Sequence, residues 1–548
     1  MNESLRTPLL RQLEASADRP LLTVLGRRAQ ASTYCGEQLV TEAQLRSQYW
    51  QKLLGPGPHV LIAALPAGEE FLFSLLASLL DEGTLVPIAP PRANDPPERL
   101  RQIVETCEAT AILCNEAQRT VIELHLRDLE GRLTCSVIAV DGNNSEGPLI
   151  PRRQLQRAPI IQHTSGSTRF PKALPISARQ IQANCSLIQN LWGMEQRTKM
   201  LNWLPHYHDM GLMGGILYPL LSGACSIQMS PFEMIRTPLT WLQAISTHQA
   251  TFSGGPAFAF QDCLNRIREE DCVGIDLSSW QRAYCGAEPI PAGLLQRFRQ
   301  RFARHGLAAE AVFACYGMAE FTLFAAGQPG ISAQPATAEP NPAAEPCVLG
   351  EHTRQSLRVT DSQSGQPLPD GQSGEIWLRG ESASTKYLGL IEESRQAFDN
   401  LADGSKWLRT GDLGYVNGNL LYVTGRQKDI VIVNGRNVSA AEIEWLAGQQ
   451  DPALNPLAAA AFTPPGANNG QAVLFIEVRS GQALPADREA LGERIRRAVV
   501  GALSIELTDI RILPRGSLAR TSSGKIRRQQ IAAAYDEAAQ PLHEEITG

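Results

Sequence analysis

The sequence predicts an α/β protein: a large N-terminal domain of layered α/β lobes plus a small β-lobe, followed by a smaller α+β C-terminal domain. Three observations predict it. Apolar strand-like runs alternate with helix-spaced stretches through the first half, the order that builds a largely parallel sheet. Several of these runs stop at Gly-containing turns that carry polar side chains, and ligands of such sheets sit at the carboxyl ends of the strands. Beyond residue 347 the pattern changes to short strands and turns, with Asn417–Gly418 as a two-residue hairpin signal. The expected division is 1–424 for the N-terminal domain, with its β-lobe at about 347–424, and 425–548 for the C-terminal one. At 548 residues, one core would not suffice.

Bulk properties narrow the class. Hydrophobic residues are 43% and charged residues 19%, a globular balance rather than a disordered one. A net charge of −6 leaves no basic footprint, so nucleic acid is not an expected partner. The eleven cysteines include no C-x-x-C pair and no zinc-like spacing, and no signal peptide is evident. They read as buried, reduced thiols of a cytoplasmic protein. Met210 to Phe232 is uncharged and long enough to resemble a membrane span, but Gly211, Gly214, Gly215, Pro219, Gly223 and Pro231 interrupt it. The expectation there is a buried helix, a turn and a short strand, with no membrane span.

In order along the chain, Leu9–Ala17 and Thr41–Leu54 have helical spacing, and His59–Leu65 reads as a strand. Phe71–Leu80 is an apolar helix, and Leu85–Ile88 a strand ended by Pro90 and Pro91. Pro96 and Pro97 introduce a helix over Glu98–Thr106, since proline suits a first turn. After the apolar run Ala158–Ile161 comes QHTSGSTRFPKALP, Gln162–Pro175, whose hydroxyls, Gly, Arg169 and Lys172 suit an anion. A polar surface turn explains the same composition, and GxxxxGK followed by Ser or Thr is absent. A helix over Ala178–Leu191 leads to WLPHYHDMGLMGG, Trp203–Gly215. His206 and His208 have no evident third metal ligand, so a polar rim on an apolar pocket is expected. TFSGGP ends a strand with Gly254 and Gly255 before a helix over Ala257–Arg268, while RAYCGAEP and VFACYGMAE each end a strand with a Gly followed by a Glu. Pro329–Pro346 reads as a Pro- and Ala-rich surface excursion. Strands Ser356–Asp361 and Gly374–Leu378 then precede WLRTGDLG and YVNGNLLYV. The apolar strand stops at GRQKD, and beyond it come a strand at Ala472–Val478, a helix over Asp487–Leu503, and TSSGK ahead of a final helix over Lys525–Tyr535.

Together these motifs resemble the adenylate-forming superfamily of acyl-CoA synthetases, peptide-synthetase adenylation domains and luciferases. HTSGSTRFPK, YGMAE, LRTGDLG, GRQKD and SSGK occur in that family's order and spacing over nearly the whole chain. VPIAPPR, WLPHYHDMGLMGG, FSGGPAFAF, IDLSSW and GAEP look most like the fatty acyl-AMP ligases. The resemblance implies a carboxylate attacking the α-phosphate of ATP, with Mg²⁺ present, to give acyl-AMP and pyrophosphate. By that resemblance Thr164, Ser165, Gly166, Ser167, Thr168 and Arg169, with Lys172, hold the phosphates. Glu320 helps bind Mg²⁺. Gly286, Ala287 and Glu288 with Tyr316, Gly317, Met318 and Ala319 surround the adenine and α-phosphate. Asp412 accepts the ribose hydroxyls, Arg426 lies near it, and Lys525 bridges carboxylate and α-phosphate. Thr164, Glu320 and Lys525 are the implied catalytic residues; His208, Gly215, Gly254, Gly255 and Phe321 border the acyl pocket. The C-terminal domain is implied to be mobile, rotating about Lys428 so that a thiol can enter.

The implied acceptor is the phosphopantetheine of an acyl carrier protein or peptidyl carrier domain. Free coenzyme A is the alternative, as is adenylation of an amino acid or other small acid for a peptide-synthetase carrier. A nucleotide- or acyl-binding module without turnover is a different class, disfavoured by Glu320, Asp412 and Lys525. The chain departs from the subfamily at Ala173, at Cys285, at Phe321, whose ring is expected to shorten or reshape the pocket, and in a shorter span from Phe321 to Ser373. GRNVSAAEIE, Gly435–Glu444, reads partly like the acyl-CoA synthetases.

Overall fold

The computed structural model describes residues 4–26, 30–127, 135–141, 158–164, 171–330, 344–398, 406–433, 436–464, 472–479, 481–503, 505–520 and 525–535. Two large sheets carry the N-terminal part. The first runs Ser136–Ala139, Ala111–Cys114, Val60–Ala63, Thr84–Pro87, Ile160–His163 and Ala173–Ile176, parallel except for the last pairing. The second runs Val312–Ala314, Arg282–Cys285, Phe252–Gly255, Lys199–Asn202, Cys225–Gln228, Pro20–Leu25 and Ala31–Cys35, again parallel except at the final pair. The described strands of the two sheets that are buried throughout are continuous apolar or small-residue runs, as expected where helices cover both faces. An antiparallel sheet follows, ordered Cys347–Val348, Leu420–Arg426, Leu408–Asn417, Gly374–Leu378 and Leu357–Thr360.

The helix Ala178–Trp192 illustrates how local sequence fixes an element. Ser177 and Gln180 form a reciprocal capping box at its start, and Gly193, at φ +76°, ends it. Its buried face carries Ile181, Asn184, Cys185, Ile188 and Trp192. Asn184 uses both ends of its amide. It donates to the carbonyls of Phe321 (3.2 Å) and Phe324 (2.8 Å). It also accepts from the Phe324 N–H (3.0 Å) and the Tyr218 hydroxyl (2.9 Å). That one side chain ties the helix to the turn after Tyr316. Asn184→Ala orphans several buried groups at once, each costing about 1–3 kcal/mol. A fall in thermal midpoint of several degrees is the expected outcome, and an unchanged melting curve would contradict it.

Beyond Arg426 the chain builds a separate core. Helices Ala440–Gly448 and Arg488–Leu503 pack on a sheet of Leu454–Phe462, Ala472–Val478 and Leu507–Leu513 around Ile443, Leu474, Ile476 and Ile495.

Two local expectations, the hairpin turn and the start of the last helix, are corrected. The buried helix, turn and short strand expected within Met210–Phe232 are present, as a buried π-helix Met210–Leu217 continuing into Tyr218–Leu221, a turn, and the strand Cys225–Gln228. Gly211 and Gly215 allow the wide turn, because a Cβ on either would strike the Pro205 carbonyl or Asn202, at 2.2 Å in each case. The displaced Gly215 carbonyl accepts from Ser226 (2.7 Å) and Gln228 (2.9 Å). The hairpin turn residues are Gly418 and Asn419, because Asn417 still pairs with Leu420. The last helix starts at Arg528, so Lys525 precedes it instead of opening it. Among the described residues no helix is long and apolar enough to cross a membrane. The eleven cysteines are free thiols, most of them buried.

Candidate active site

The parallel strands of both sheets deliver their carboxyl ends to one cleft of about 2570 Å³, which Gly425, Arg426, Lys428, Glu444, Arg520 and Lys525 also line. Ile160–His163 and Ala173–Ile176 pair as a hairpin, His163 opposite Ala173, and the Thr164 N–H donates to the Lys172 carbonyl at 3.0 Å. That bond closes the base of the hydroxyl-rich loop. Ser165, Gly166, Ser167, Thr168 and Arg169 lie outside the described residues. Thr164 and Lys172 both face the cleft, and the Lys172 ammonium stands 4.7 Å over the Tyr387 ring.

At the adjoining strand ends, Tyr316 donates its hydroxyl to Asp412 at 2.7 Å. Asp412 lies directly opposite Arg426 across the antiparallel ladder and pairs with its Nε at 2.9 Å. The pair is local in register though fourteen residues apart in sequence. Asp412 holds the Arg426 guanidinium above its ordinary value, while burial and then Asp412 push the Tyr316 phenol well up. A carboxylate offers about four acceptor positions, so two remain for a ligand. Glu320, which lines the cleft, accepts from the Tyr387 hydroxyl at 2.9 Å. Tyr387 is a site residue that sequence reading missed; no motif marks it. Ala287 at φ +68° and Thr322 at φ +68° hold left-handed conformations costly for residues with a Cβ, and both flank this cleft.

Lys525 comes from the C-terminal part into the same space. Burial, then Arg426, lowers its pKa, while Asp209, Glu288 and Asp412 oppose that fall. Its segment is pinned on both sides. Upstream, fully buried Glu477 accepts from the Leu518 N–H (2.7 Å) and pairs with Arg520 (2.8 Å). Downstream, Arg528 bridges Glu444 (2.7 Å) and Asp429 (2.8 Å), joining the residue after Lys428 to the segment that carries Lys525. The Lys428 ammonium, also at the cleft, is lowered by burial and then by Arg426.

Not every expected residue sits where it was expected. Glu288 lines the cleft, but it also caps the helix Ala257–Arg266 by accepting from the Phe258 N–H at 2.8 Å. Burial raises its pKa, with that backbone bond and Lys525 opposing. Gly317, Met318 and Ala319 line the cleft, whereas Gly286 packs beneath Cys315. Gly215, Gly254 and Gly255 are not among the cavity-lining residues; they admit Asn202, Tyr284 and Trp203, whose nearest atoms a Cβ would meet at 2.1–2.5 Å. Phe321 is likewise displaced: its ring turns toward Gly380, and Leu323 and Phe324 line the cavity instead. His208 lines the cleft and pairs with Asp209 at 2.6 Å. His206 also lines the cleft, its ring set against Phe71 with centroids 3.8 Å apart, and burial lowers its pKa to about 3. Among the described residues no group of three His, Cys, Asp or Glu side chains forms a metal cage.

The family model described as "AMP-binding enzyme" matches residues 13–388. This chain belongs to the AMP-binding enzyme family. It is 32% identical to a long-chain-fatty-acid–AMP ligase of Mycobacterium marinum over 88% of this chain and 87% of that one. It is 29% identical to a medium-chain-fatty-acid–[acyl-carrier-protein] ligase of Teredinibacter turnerae, over 87% and 85%. Among solved structures, a fatty acyl-adenylate ligase from work on Escherichia coli and Legionella pneumophila superposes with a TM-score of 0.81 at 25% identity, covering 96% and 97%. The L. pneumophila fatty acyl-adenylate ligase in complex with acyl adenylate and pyrophosphate is 29% identical, with a TM-score of 0.70 over 96% and 95%. The AMP-binding enzyme is therefore a ligase with the mixed α/β fold of these proteins.

Proposed function

We propose that this AMP-binding enzyme joins a carboxylic acid, of the fatty-acid class, to the AMP portion of ATP with release of pyrophosphate, and then passes the acyl group, with release of AMP, to the phosphopantetheine thiol of an acyl carrier protein or peptidyl carrier domain. The observation that carries the reading is that Lys525 lines the same cleft as Asp209, Glu288, Asp412 and Arg426 and is electrostatically coupled to them. A half-buried cation there suits a developing negative charge shared between carboxylate and α-phosphate. Asp412, held in place by Tyr316 and Arg426, accepts the ribose hydroxyls. Thr164, Lys172 and the loop between them orient the pyrophosphate leaving group, and the acid lies in the recess beyond. The fit for Mg²⁺ is that of an ion arriving with phosphates: Glu320 offers one hard oxygen, and no cage of described residues competes. When bound, Mg²⁺ neutralises phosphate charge.

Residues 425–548 are read as the mobile C-terminal domain, turning about Lys428. Arg528 links the hinge-side Asp429 to Glu444, so a turn about Lys428 carries Lys525 away with the domain and frees the cleft for a thiol. The likeness to a fatty-acid–AMP ligase of Mycobacterium and a fatty-acid–[acyl-carrier-protein] ligase of Teredinibacter supports this reading for acid and acceptor. Offering the enzyme a holo carrier protein and free coenzyme A in parallel separates the acceptors. Thioester on the carrier at a rate well above that of acyl-CoA is the expected result, and faster acyl-CoA formation would replace the carrier with coenzyme A.

A further inference from the structure

Past the reacting groups, the cleft continues into a buried recess lined by Ile188, Trp192, Met200, Tyr284, Leu323 and Phe324. Five of these six are bulky hydrocarbon, indole or thioether side chains; Tyr284 alone among them carries a hydroxyl. Its reach depends on a glycine. Tyr284 lies opposite Gly254 on the neighbouring strand, and a Cβ there would stand 2.4 Å from the tyrosine Cδ2. With that Cβ absent, the ring extends over Gly254 and its hydroxyl ends 3.7 Å from the Met200 sulfur, on the strand beyond. Trp192 packs on the ring with centroids 5.3 Å apart and planes at 31°, while the indole N–H is spent on the Gly327 carbonyl at 2.9 Å.

The chemistry of this arrangement is unbalanced. A phenol is a strong donor and a thioether a weak acceptor, and Tyr284 is only 3% exposed, so water does not make up the difference. A plain hydrocarbon chain in the recess would leave the mismatch as it is. Phenylalanine would fill the same ring volume without burying a hydroxyl. A ligand oxygen would satisfy the donor far better than Met200 does. Burial pushes the phenol and the neighbouring Cys315 thiol up, the thiol to about 12, so both stay neutral donors.

We propose that the Tyr284 hydroxyl is a specificity-determining donor for an oxygen carried along the acyl chain, so that the preferred acids are hydroxy- or keto-substituted. The inference rests on the adenylation reading above. A site that hydrogen-bonds a substrate oxygen discriminates against the analogue lacking it more strongly than an apolar pocket discriminates by one methylene. Acceptor-only keto oxygens and hydroxyls differ in one respect: a hydroxyl can also donate to Met200.

The test is acid-dependent pyrophosphate release by the full chain, using straight-chain acids and their hydroxy and keto counterparts of equal length. Wild type should favour the best oxygenated acid over its unsubstituted match by about tenfold or more in kcat/KM. Tyr284→Phe should collapse that ratio by about 10–100-fold. Met200→Leu, which keeps the donor and strips the weak acceptor, should retain it. A loss of the ratio in Met200→Leu with none in Tyr284→Phe would assign selectivity to packing and overturn the proposal, as would a wild-type preference for unsubstituted acids. Pyrophosphate release with every acid class but no oxygen preference removes only this inference. No release with any acid removes the adenylation reading as well.

Discussion

Lys525→Ala is expected to reduce acid-dependent ATP–pyrophosphate exchange by about 10²–10³-fold or more, the usual cost of deleting a preorganised charge aimed at the transition state. The fold should persist, because Lys525 precedes the last helix and the anchors Arg520–Glu477 and Arg528–Glu444 flank it independently. The residue also carries a pH dependence. Burial, then Arg426, depresses its pKa, and the ammonium is the form that stabilises negative charge. Activity should therefore fall as pH rises through a value below that of an ordinary lysine. In kcat/KM, which reports the free enzyme, that alkaline limb should vanish from the residual activity of Lys525→Ala. Unchanged exchange in the variant would sink the assignment.

Asp412→Ala should be nearly as damaging, but through nucleotide binding. Two charge-assisted hydrogen bonds to ribose, each worth about 1.5–3 kcal/mol, amount to a loss of about 10²–10⁴-fold in kcat/KM for ATP. The same substitution strands Arg426 and Tyr316, which now share the carboxylate. Asp412→Asn separates the two effects, since it keeps an acceptor for the Tyr316 hydroxyl while losing the charge opposite Arg426. The expected order of KM for ATP is wild type, Asn, Ala. A change confined to KM for the acid would contradict a ribose role.

Much of this site was legible in the sequence because its chemistry sits at strand ends, where an apolar run breaks into Gly and a polar residue. Thr164, Glu288, Tyr316 and Glu320 follow that rule, whereas Asp412 sits within the antiparallel strand Leu408–Asn417, and the cleft gathers all five. What stayed hidden depends on contacts between distant segments. Nothing local distinguishes Tyr387 from a surface tyrosine, yet it holds Glu320. Asn184 looks like a polar interruption of a helix until the carbonyls of Phe321 and Phe324 arrive to use it. Phe321 and Leu323 illustrate the difficulty of direction: the left-handed residue Thr322 between them reverses the chain, sending Phe321 toward Gly380 and giving Leu323 to the cavity. The paired glycines Gly254 and Gly255, expected at the acyl pocket, instead make room for Tyr284 and Trp203.

Acyl-adenylate formation can be measured without a carrier or a variant. The protein is incubated with ATP, Mg²⁺ and a panel of plain, hydroxy and keto acids, and products are read by mass spectrometry alongside pyrophosphate. Acyl-AMP and pyrophosphate should appear in equal amounts, and only when acid is present. ATP cleavage to ADP and phosphate, or no adenylate with any acid, would contradict the adenylation reading.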